Sequence, residues 1–486
     1  MLFNSLGFLL FFPIVVIIYF ILPNKWRWVW LLAASYYFYM SWNATYALLI
    51  LTSTVITYLS GIFINKSDKV NKKKVWVAIS FVSNLLILIY FKYFNFLANS
   101  INDLMEISQL GINIPNLDIL LPVGISFYTF QALSYTVDVY RDQIKPELHF
   151  GKYALFVSFF PQLVAGPIER SSHLIPQFSQ RHPFNYNKFK SGLRLMIWGF
   201  FMKLVVADRV AILVNEVYNS PEDHYGVQIL VATVFFAIQI YCDFAGYSNI
   251  AIGAARIMGF DLMKNFDTPY FSKSITEFWR RWHISLSTWF RDYLYIPLGG
   301  SRVKLYRSYL NLFIVFLVSG LWHGASYNFL IWGALHGIFI VVEKAINTSA
   351  LRPTINRFFN FDLLANKLLL IVFTFILADF AWIFFRANNL SDSVVIIRNL
   401  FDWDWNLLFN GSLYNLGLEA NEFWLAVYSI LFLIGLEVFQ SKMNLSKALN
   451  AQPIIFRWSV YLILLFSVLI FGVYGSEEKS FIYFQF

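Results

Sequence analysis

Charged residues are scarce in this sequence. They make up 13% of its 486 residues, whereas ordinary soluble domains carry about 25%. Hydrophobic residues reach 58%, and a soluble fold could not bury that much apolar surface. Apolar runs recur along the whole chain, and no polar block is long enough to fold alone. We therefore expect one membrane-embedded unit over residues 1–486, with N-terminal helices at 1–118, a core containing the candidate histidines at 119–345, and C-terminal helices at 346–486.

Cysteine is nearly absent as well. Cys242 is the single cysteine, which excludes an intramolecular disulfide and a cysteine-based zinc site. The sequence also lacks an HExxH motif, a Walker A motif and a GxSxG nucleophile elbow. We therefore expect no bound metal ion, no bound cofactor and no nucleotide hydrolysis.

Basic residues lie mainly in short loops between apolar runs. The loop at residues 65–74 has five lysines, whereas the connection at 98–118 has three acidic residues and no basic one. The positive-inside rule places the first loop in the cytoplasm, so the net charge of +9 reflects topology and not binding to nucleic acid. We expect a multi-pass protein of the cytoplasmic (inner) membrane with lipid as a partner.

The apolar segments predict an all-α bundle of about 10 to 12 membrane helices, including short or re-entrant pieces. They lie at residues 7–22, 29–40, 46–64, 75–96, 119–137, 191–213, 227–250, 311–342 with a break, 364–385, 423–439 and 454–474. Glycine or proline interrupts two apolar stretches, at 156–167 and 299–337. Interrupted segments at membrane depth are tolerated where they line a cavity or are buried in protein, so we expect the site there.

The segment Thr276–Tyr295 has the periodicity of an amphipathic helix. Its polar stripe would contain Thr276, Arg280, His283 and Ser287. The position of this helix has two interpretations. The helix could lie in the headgroup region with its basic residues on phosphates, or its polar stripe could line a cavity with His283 facing a substrate.

His323 lies in a strongly apolar stretch, where an ionisable residue indicates function. The alternative is a core histidine that is hydrogen-bonded across helices. His336 follows thirteen residues later, about 20 Å along a continuous helix and on nearly the opposite face, which argues against a shared metal ion. A neutral histidine at such a place is suited to accept a proton from a hydroxyl group at neutral pH.

Several fragments together resemble the membrane-bound O-acyltransferase family, in its bacterial alginate O-acetyltransferase-like branch. They are MLFNSLGFLLFFPIVVIIYFILP (1–23), LPVGISFYTFQALSYTVDVYR (121–141), LVAGPIER (163–170), YCDFAGYSNIAIG (241–253), EFWRRWHISLSTWFRDYLYIPLGG (277–300), SGLWHGA (319–325) and FIYFQF (481–486). The likeness covers nearly the whole chain. Seven fragments in order are specific, although each alone is weak.

The resemblance implies transfer of an acyl group, most simply acetyl, from a cytoplasmic thioester such as acetyl-CoA through a tunnel toward an extracytoplasmic polysaccharide. The family's signature histidine corresponds to His323, and a second family histidine corresponds to His283. An acyl-carrier protein is an alternative donor, and an extracytoplasmic partner similar to SGNH hydrolases would complete the transfer. No role is carried over for His336, and the polymer is not named by these residues.

Six further residues are candidates for the substrate site or tunnel: Arg280, Trp282, Ser287, Arg291, Trp322 and Asp243. Arginine forks match phosphate geometry, so Arg280, Arg281 and Arg291 could hold the phosphates of CoA, although headgroup anchoring also explains them. Asp243 either pairs with Lys203, Arg209 or Arg256 or forms part of the tunnel wall. The alternative function for the whole chain is a transporter or flippase of a lipid-linked or acyl substrate.

Overall fold

The computed structural model describes residues 1–109, 113–164, 166–349, 363–408, 410–443, 445–475 and 482. Over these residues its regular elements are all helices, which confirms the predicted all-α class. The chain forms two compact units, one of residues 1–196 with 250–263 and the other of residues 197–249 with 264–486. The three-part division of one catalytic unit, predicted from the sequence, stays a prediction.

The first unit is built mainly from the N-terminal helices. They are α1 (Leu6–Ile21), α2 (Asn24–Met40), α3 (Ala47–Lys66), α4 (Val70–Leu88), α5 (Phe94–Ile107), α6 (Ile125–Tyr140), α7 (Phe150–Ser158), α8 (Phe160–Leu163) and α9 (Ser171–Leu174). Short 3₁₀ turns lie at Ala44–Tyr46 and Ile175–Ser179, and a π-helical segment at Ile89–Tyr93 joins α4 to α5. The break between α7 and α8 confirms the first predicted interruption.

Small polar side chains hold the first unit's central helices together. Ser53 of α3 contacts Asn84 of α4 at 2.5 Å, and Ser80 of α4 contacts Thr136 of α6 at 2.9 Å. These side chains are buried. Helices in a bilayer gain little from hydrophobic burial against each other, so small residues and interhelical hydrogen bonds stabilise their association.

Two helices contribute to both units: α10 (Tyr186–Phe200) and α12 (Val227–Ile257), with α11 (Asp208–Asn219) between them. The second unit adds α13 (Ile275–Arg281), α14 (Ile284–Phe290), α15 (Leu305–His323), α16 (Tyr327–Thr348), α17 (Leu364–Arg386), α18 (Leu390–Leu400), α19 (Ala420–Lys442), α20 (Leu445–Asn450) and α21 (Ile454–Phe471). It also contains π-helical segments at Phe201–Ala207 and Arg291–Tyr295, with short 3₁₀ turns at Pro221–Asp223, Pro269–Phe271, Trp405–Leu408 and Ser412–Asn415.

Eight helical segments of the described chain are long and apolar enough to cross a bilayer. They are Ala44–Lys66, Val70–Ile107, Val227–Ile257, Leu305–His323, Tyr327–Thr348, Leu364–Arg386, Ala420–Lys442 and Ile454–Phe471. The apolar helix α1 is shorter. A polytopic membrane protein is therefore confirmed. The predicted break in residues 311–342 is confirmed too, because α15 ends at His323 and α16 begins at Tyr327.

Glycines let α15 and α16 approach closely. A Cβ atom added to Gly320 would lie 2.2 Å from the carbonyl oxygen of Phe329, and one added to Gly333 would lie 2.4 Å from that of Phe316. Real side chains do not tolerate such distances. These two helices therefore form a tight hairpin, which fixes the position of the residues at its closed end.

Candidate functional site

The break between α15 and α16 determines the position of His323. This histidine is the last residue of α15 and is 3% exposed. A Cβ atom on the next residue, Gly324, would lie 2.0 Å from the ring of Phe329, so only glycine fits there. The sequence placed His323 inside an apolar run, and the structure places it at the point where that run is interrupted.

Aromatic rings surround the imidazole of His323. The ring centroids of Trp322, Trp332 and Phe385 lie 4.9, 4.9 and 5.3 Å from it. These neighbours come from the end of α15, from α16 and from α17. Such a site is apolar and poor in water, where a proton transfer from a substrate hydroxyl meets little competition from solvent.

The predicted continuous helix over Thr276–Tyr295 is wrong. α13 ends at Arg281, and α14 begins at Ile284. His283 at the break has φ +43° and ψ +55°, a left-handed conformation that is uncommon outside glycine. The turn removes His283 from the polar stripe of Thr276, Arg280 and Ser287 and buries its side chain completely. Strained backbone of this kind is frequent at functional sites.

A polar network orients His283. Its Nδ1 lies 3.1 Å from the side-chain oxygen of Asn265, which also accepts from the hydroxyl of Ser285 at 2.9 Å. The amide nitrogen of Asn265 donates to the hydroxyl of Ser248 at 3.1 Å. An amide oxygen can only accept, so Nδ1 of His283 carries the proton and Nε2 holds a lone pair. Burial lowers the pKa of His283 to about 3, so the ring is neutral at physiological pH.

Histidine and tryptophan rings alternate through the centre of the second unit. The ring of Trp322 lies 6.0 Å from that of His283 and 4.9 Å from that of His323. Trp332 in turn lies 4.9 Å from both His323 and His336. The structure thus brings together the two predicted catalytic histidines through Trp322, a predicted site residue. It also adds His336, whose role the sequence left open.

A cavity of about 210 Å³, here called the inner cavity, lies beside α13, α14, α15 and α16. Its wall includes Thr276, Arg280 and Ser287 of the predicted polar stripe but not His283, together with Arg291 and Ser319. Ser319 lies one helical turn before His323 on α15. Arg291 forms an ion pair with the adjacent Asp292 at 2.7 Å, whereas Arg280 is exposed at the wall.

A second opening, here called the vestibule, has a volume of about 700 Å³ and shares Thr276, Arg280 and Ile340 with the wall of the inner cavity. Charged residues Glu277, Glu343 and Lys344 also line the vestibule. The vestibule is therefore a polar entrance beside an apolar chamber.

Two other predicted site residues lie outside the cavity wall. Trp282 is completely buried, with its ring 5.1 Å from Trp382 and 5.4 Å from Phe278, so it packs among aromatic rings, and its place in a tunnel stays a prediction. Asp243 forms the predicted ion pair, and Lys203 is the partner at 2.7 Å. Lys203 also contacts Asp208 at 2.9 Å, so two carboxylates share one buried ammonium group.

Sequence reasoning missed Asn265 and the contact between Trp279 and His336. Asn265 lies 18 residues before His283 in the chain, and no motif or periodicity links the two. Trp279 belongs to the apolar side of α13, and its indole nitrogen donates to Nδ1 of His336 at 3.3 Å. Among the described residues no group of three or more His, Cys, Asp or Glu side chains could hold a metal ion. Of the FIYFQF fragment only Ile482 lies within the described residues.

Comparisons with known proteins agree with this architecture. A family model for the membrane-bound O-acyltransferase family matches residues 35–385. A Pseudomonas aeruginosa protein named "Probable alginate O-acetylase AlgI" is 39% identical over 93% of this chain and 84% of its own length. The peptidoglycan O-acetyltransferase of Helicobacter pylori is 35% identical over 81% of this chain and 76% of its own length.

A more distant similarity covers less of the chain. The teichoic acid D-alanyltransferase of Bacillus subtilis is 28% identical over 45% of this chain and 58% of its own length. The family model spans most of the chain, including the break after α15, and the first two relatives match across most of their lengths. The chain therefore belongs to the membrane-bound O-acyltransferase family and is an O-acyltransferase.

Proposed function

We propose that this enzyme transfers an acetyl group from a cytoplasmic thioester, acetyl-CoA or an acyl-carrier protein, toward the hydroxyl groups of an extracytoplasmic polysaccharide, with His323 as the general base. The observation that carries the proposal is the position of His323 at the end of α15, one turn beyond Ser319 of the inner cavity. A donor in that cavity would bring its thioester close to the histidine.

The distribution of charge supports entry of the donor from the cytoplasm. Residues 299–307, at the start of α15, contain three basic residues and no acidic one. Residues 387–419, which follow α17, contain one basic residue, Arg398, and four acidic residues. The positive-inside rule places the start of α15 in the cytoplasm and its His323 end toward the opposite side. The vestibule, with Arg280 and Lys344, then faces the cytoplasm.

The proposed reaction needs one proton transfer at His323. The acceptor hydroxyl gives its proton to the imidazole while its oxygen attacks the thioester carbonyl. The carbon–sulfur bond then breaks, an ester forms, and the thiolate leaves and takes up a proton. His283, with its lone pair on Nε2, would orient the site through Trp322, and Arg280 would hold donor phosphates as a planar fork.

The acceptor side of the proposal rests on the relatives. Two of them are named for O-acetylation of alginate and of peptidoglycan, which are both extracytoplasmic polysaccharides. We propose that this chain, in the cytoplasmic membrane, serves a polymer of that class. A partner similar to SGNH hydrolases would carry the acetyl group from the membrane enzyme to the polymer.

The experiment compares purified wild type with His323→Gln in detergent, supplied with radiolabelled acetyl-CoA. Release of CoA is measured, and transfer of label to an acceptor polysaccharide is measured with the proposed SGNH-hydrolase-like partner added. Loss of a general base typically lowers the reaction rate by about 10²- to 10⁴-fold, so we expect the rates of CoA release and of label transfer to fall by about that factor. Undiminished release and transfer in His323→Gln would show that the base assignment is wrong. Movement of intact substrate across a vesicle without cleavage would instead support the transporter alternative.

His149→Asn is the matched control. His149 lies in the first unit, is exposed, and caps α7 through its Nδ1, a role that asparagine also fills. We expect this variant to release CoA at the wild-type rate. The thermal unfolding of all three proteins shows whether a loss of activity reflects chemistry or folding.

A further inference from the structure

One face of α16 connects the vestibule with the aromatic core of the second unit. Glu343, Lys344 and Ile340 line the vestibule, and Ile340 also lines the inner cavity. His336 lies one turn before Ile340, and Trp332 lies one turn before His336. These positions follow the i, i+4 spacing of one helix face. The same face therefore leads from the charged entrance through His336 and Trp332 toward His323.

The tautomer of His336 follows from its hydrogen bond. Trp279 Nε1 donates to His336 Nδ1 at 3.3 Å. An indole N–H can only donate, so Nδ1 must hold a lone pair and the ring must be neutral. The remaining proton of the ring is therefore on Nε2. Trp279 itself lines the inner cavity, so this bond lies at the boundary between the cavity and the histidine.

The Nε2–H group of His336 is buried without an acceptor among the described residues. The side chain is 0% exposed, and Nε2 has no hydrogen-bond partner. Aromatic rings surround the imidazole instead. The centroid of its ring lies 4.9 Å from that of Trp332, 6.0 Å from that of Phe339 and 6.3 Å from that of Phe316. A buried donor without a partner destabilises the folded protein, and phenylalanine would fill the same space without that cost.

We propose that His336 binds a carbonyl oxygen in the extended arm of the acyl donor, through its Nε2–H group. This inference rests on the proposed function, because it needs a thioester donor in the inner cavity. His336 lies between the vestibule and His323, so it would contact an amide or thioester carbonyl of the arm while the acetyl group reaches His323. Trp279 holds the ring in the tautomer that can donate.

Binding of acetyl-CoA to purified wild type, His336→Phe and His336→Gln tests the proposal. Binding is read from the rise of Tm with acetyl-CoA, and KM and kcat from CoA release. A neutral hydrogen bond corresponds to roughly three- to tenfold in affinity. We expect His336→Phe to raise Kd and KM by about that factor with a smaller change in kcat, and to unfold without ligand at or above the wild-type Tm. His336→Gln keeps an N–H donor and should restore binding.

Two controls separate binding from packing. Phe339→Leu changes a ring beside His336 and removes no hydrogen bond, so its Kd should equal that of wild type. Trp279→Phe removes the indole donor, so His336 can carry its proton on either ring nitrogen. The Kd of this variant for acetyl-CoA should therefore rise. If His336→Phe fails to fold, His336→Leu replaces it, because leucine also lacks a donor and should raise the Kd for acetyl-CoA by the same factor, whereas His336→Gln should not.

Each other outcome contradicts a stated part of the proposal. Equal affinity of wild type and His336→Phe, or a His336→Gln variant that binds as weakly as His336→Phe, would overturn the role of His336 and leave the acyltransfer reaction intact. No binding of acetyl-CoA to wild type would exclude acetyl-CoA as the donor and overturn the proposed contact of its arm with His336, and an acyl-carrier protein would remain as the donor of the proposed reaction.

Discussion

The three central histidines differ in the hydrogen bonds that hold them. Nδ1 of His283 donates to Asn265, whereas Nδ1 of His336 accepts from Trp279. Nε2 therefore has a lone pair in His283, whereas it carries a proton in His336. His323 is held by rings on three helices. Residues of one chemical type thus offer different hydrogen-bonding groups because their neighbours differ.

The lowered pKa of His283 predicts a dependence of stability on pH. His283 titrates near 3 in the folded protein and near 6.5 in an unfolded chain. Between these values the unfolded state binds a proton that the folded state does not, so stability falls as pH drops below about 6.5. This contribution approaches about 1.4 kcal/mol per pH unit inside the window and is constant above it.

His283→Asn tests this dependence. Asparagine tolerates the left-handed conformation and keeps an N–H donor for Asn265, but it does not titrate. We expect the Tm of wild type to fall more steeply than that of His283→Asn between pH 6.5 and 4.5. Parallel curves would contradict a neutral, buried His283. The exposed His149→Asn variant should follow wild type.

At the scale of elements, the hairpin of α15 and α16 positions the site. Its backbones touch at Gly320 and Gly333, and its closed end contains His323 and Gly324. The break between α13 and α14 similarly places His283 against Asn265. Both candidate catalytic histidines therefore lie where a helix is interrupted, since such places release a side chain from the regular packing of a helix face.

Gly320→Ala should separate the two helices of this hairpin. The added Cβ would lie 2.2 Å from a backbone oxygen that cannot rotate away, so α15 or α16 must shift. We expect a loss of about 1 to 3 kcal/mol in stability, seen as a lower Tm in detergent, and reduced CoA release.

Gly435→Ala is the matched control for Gly320→Ala. Gly435 lies inside α19, and a Cβ atom there would meet nothing within 4 Å. Because alanine favours a helix over glycine by about 1 kcal/mol, this variant should be as stable as wild type or more so. If both variants lost stability equally, close approach of α15 and α16 would not be the cause.

At the scale of the whole molecule, the proposed direction of transfer rests on the distribution of charge. The basic residues at 299–307 and the acidic residues at 387–419 lie at opposite ends of the second unit's membrane helices. A donor that enters at the basic end and an acceptor at the acidic end would meet near His323. The direction of transfer would then follow from the way in which the chain is inserted.

Cysteine labelling tests this orientation. Cys242 is the single native cysteine and is buried, so a maleimide should label only the introduced cysteine. We expect a membrane-impermeant maleimide to label Ser391→Cys in intact cells and Arg302→Cys only after the cells are opened. Both positions are exposed. Labelling of Arg302→Cys from outside would reverse the proposed direction of transfer.

The sequence alone determined the class of the protein and several of its candidate residues. Apolar segments of about 20 residues must form helices in a bilayer, because lipid offers no hydrogen bonds to the backbone. The fragments around His283 and His323 also indicated the family, which the comparisons confirm. A break within residues 311–342 was predictable because glycine and small residues interrupt the apolar run, but its position directly after His323 was not.

How these residues meet depends on the packing of the helices, which the sequence pattern does not reveal. The periodicity predicted a continuous helix through His283. It could not show that Asn265, 18 residues away, contacts the imidazole ring at a left-handed turn. It likewise placed His336 about 20 Å from His323 along one continuous helix. That separation is wrong, because the break after α15 brings both rings to within 4.9 Å of Trp332. Hydrogen bonds and ring contacts between distant segments depend on how helices pack, and the pattern of residues along one helix does not contain that information.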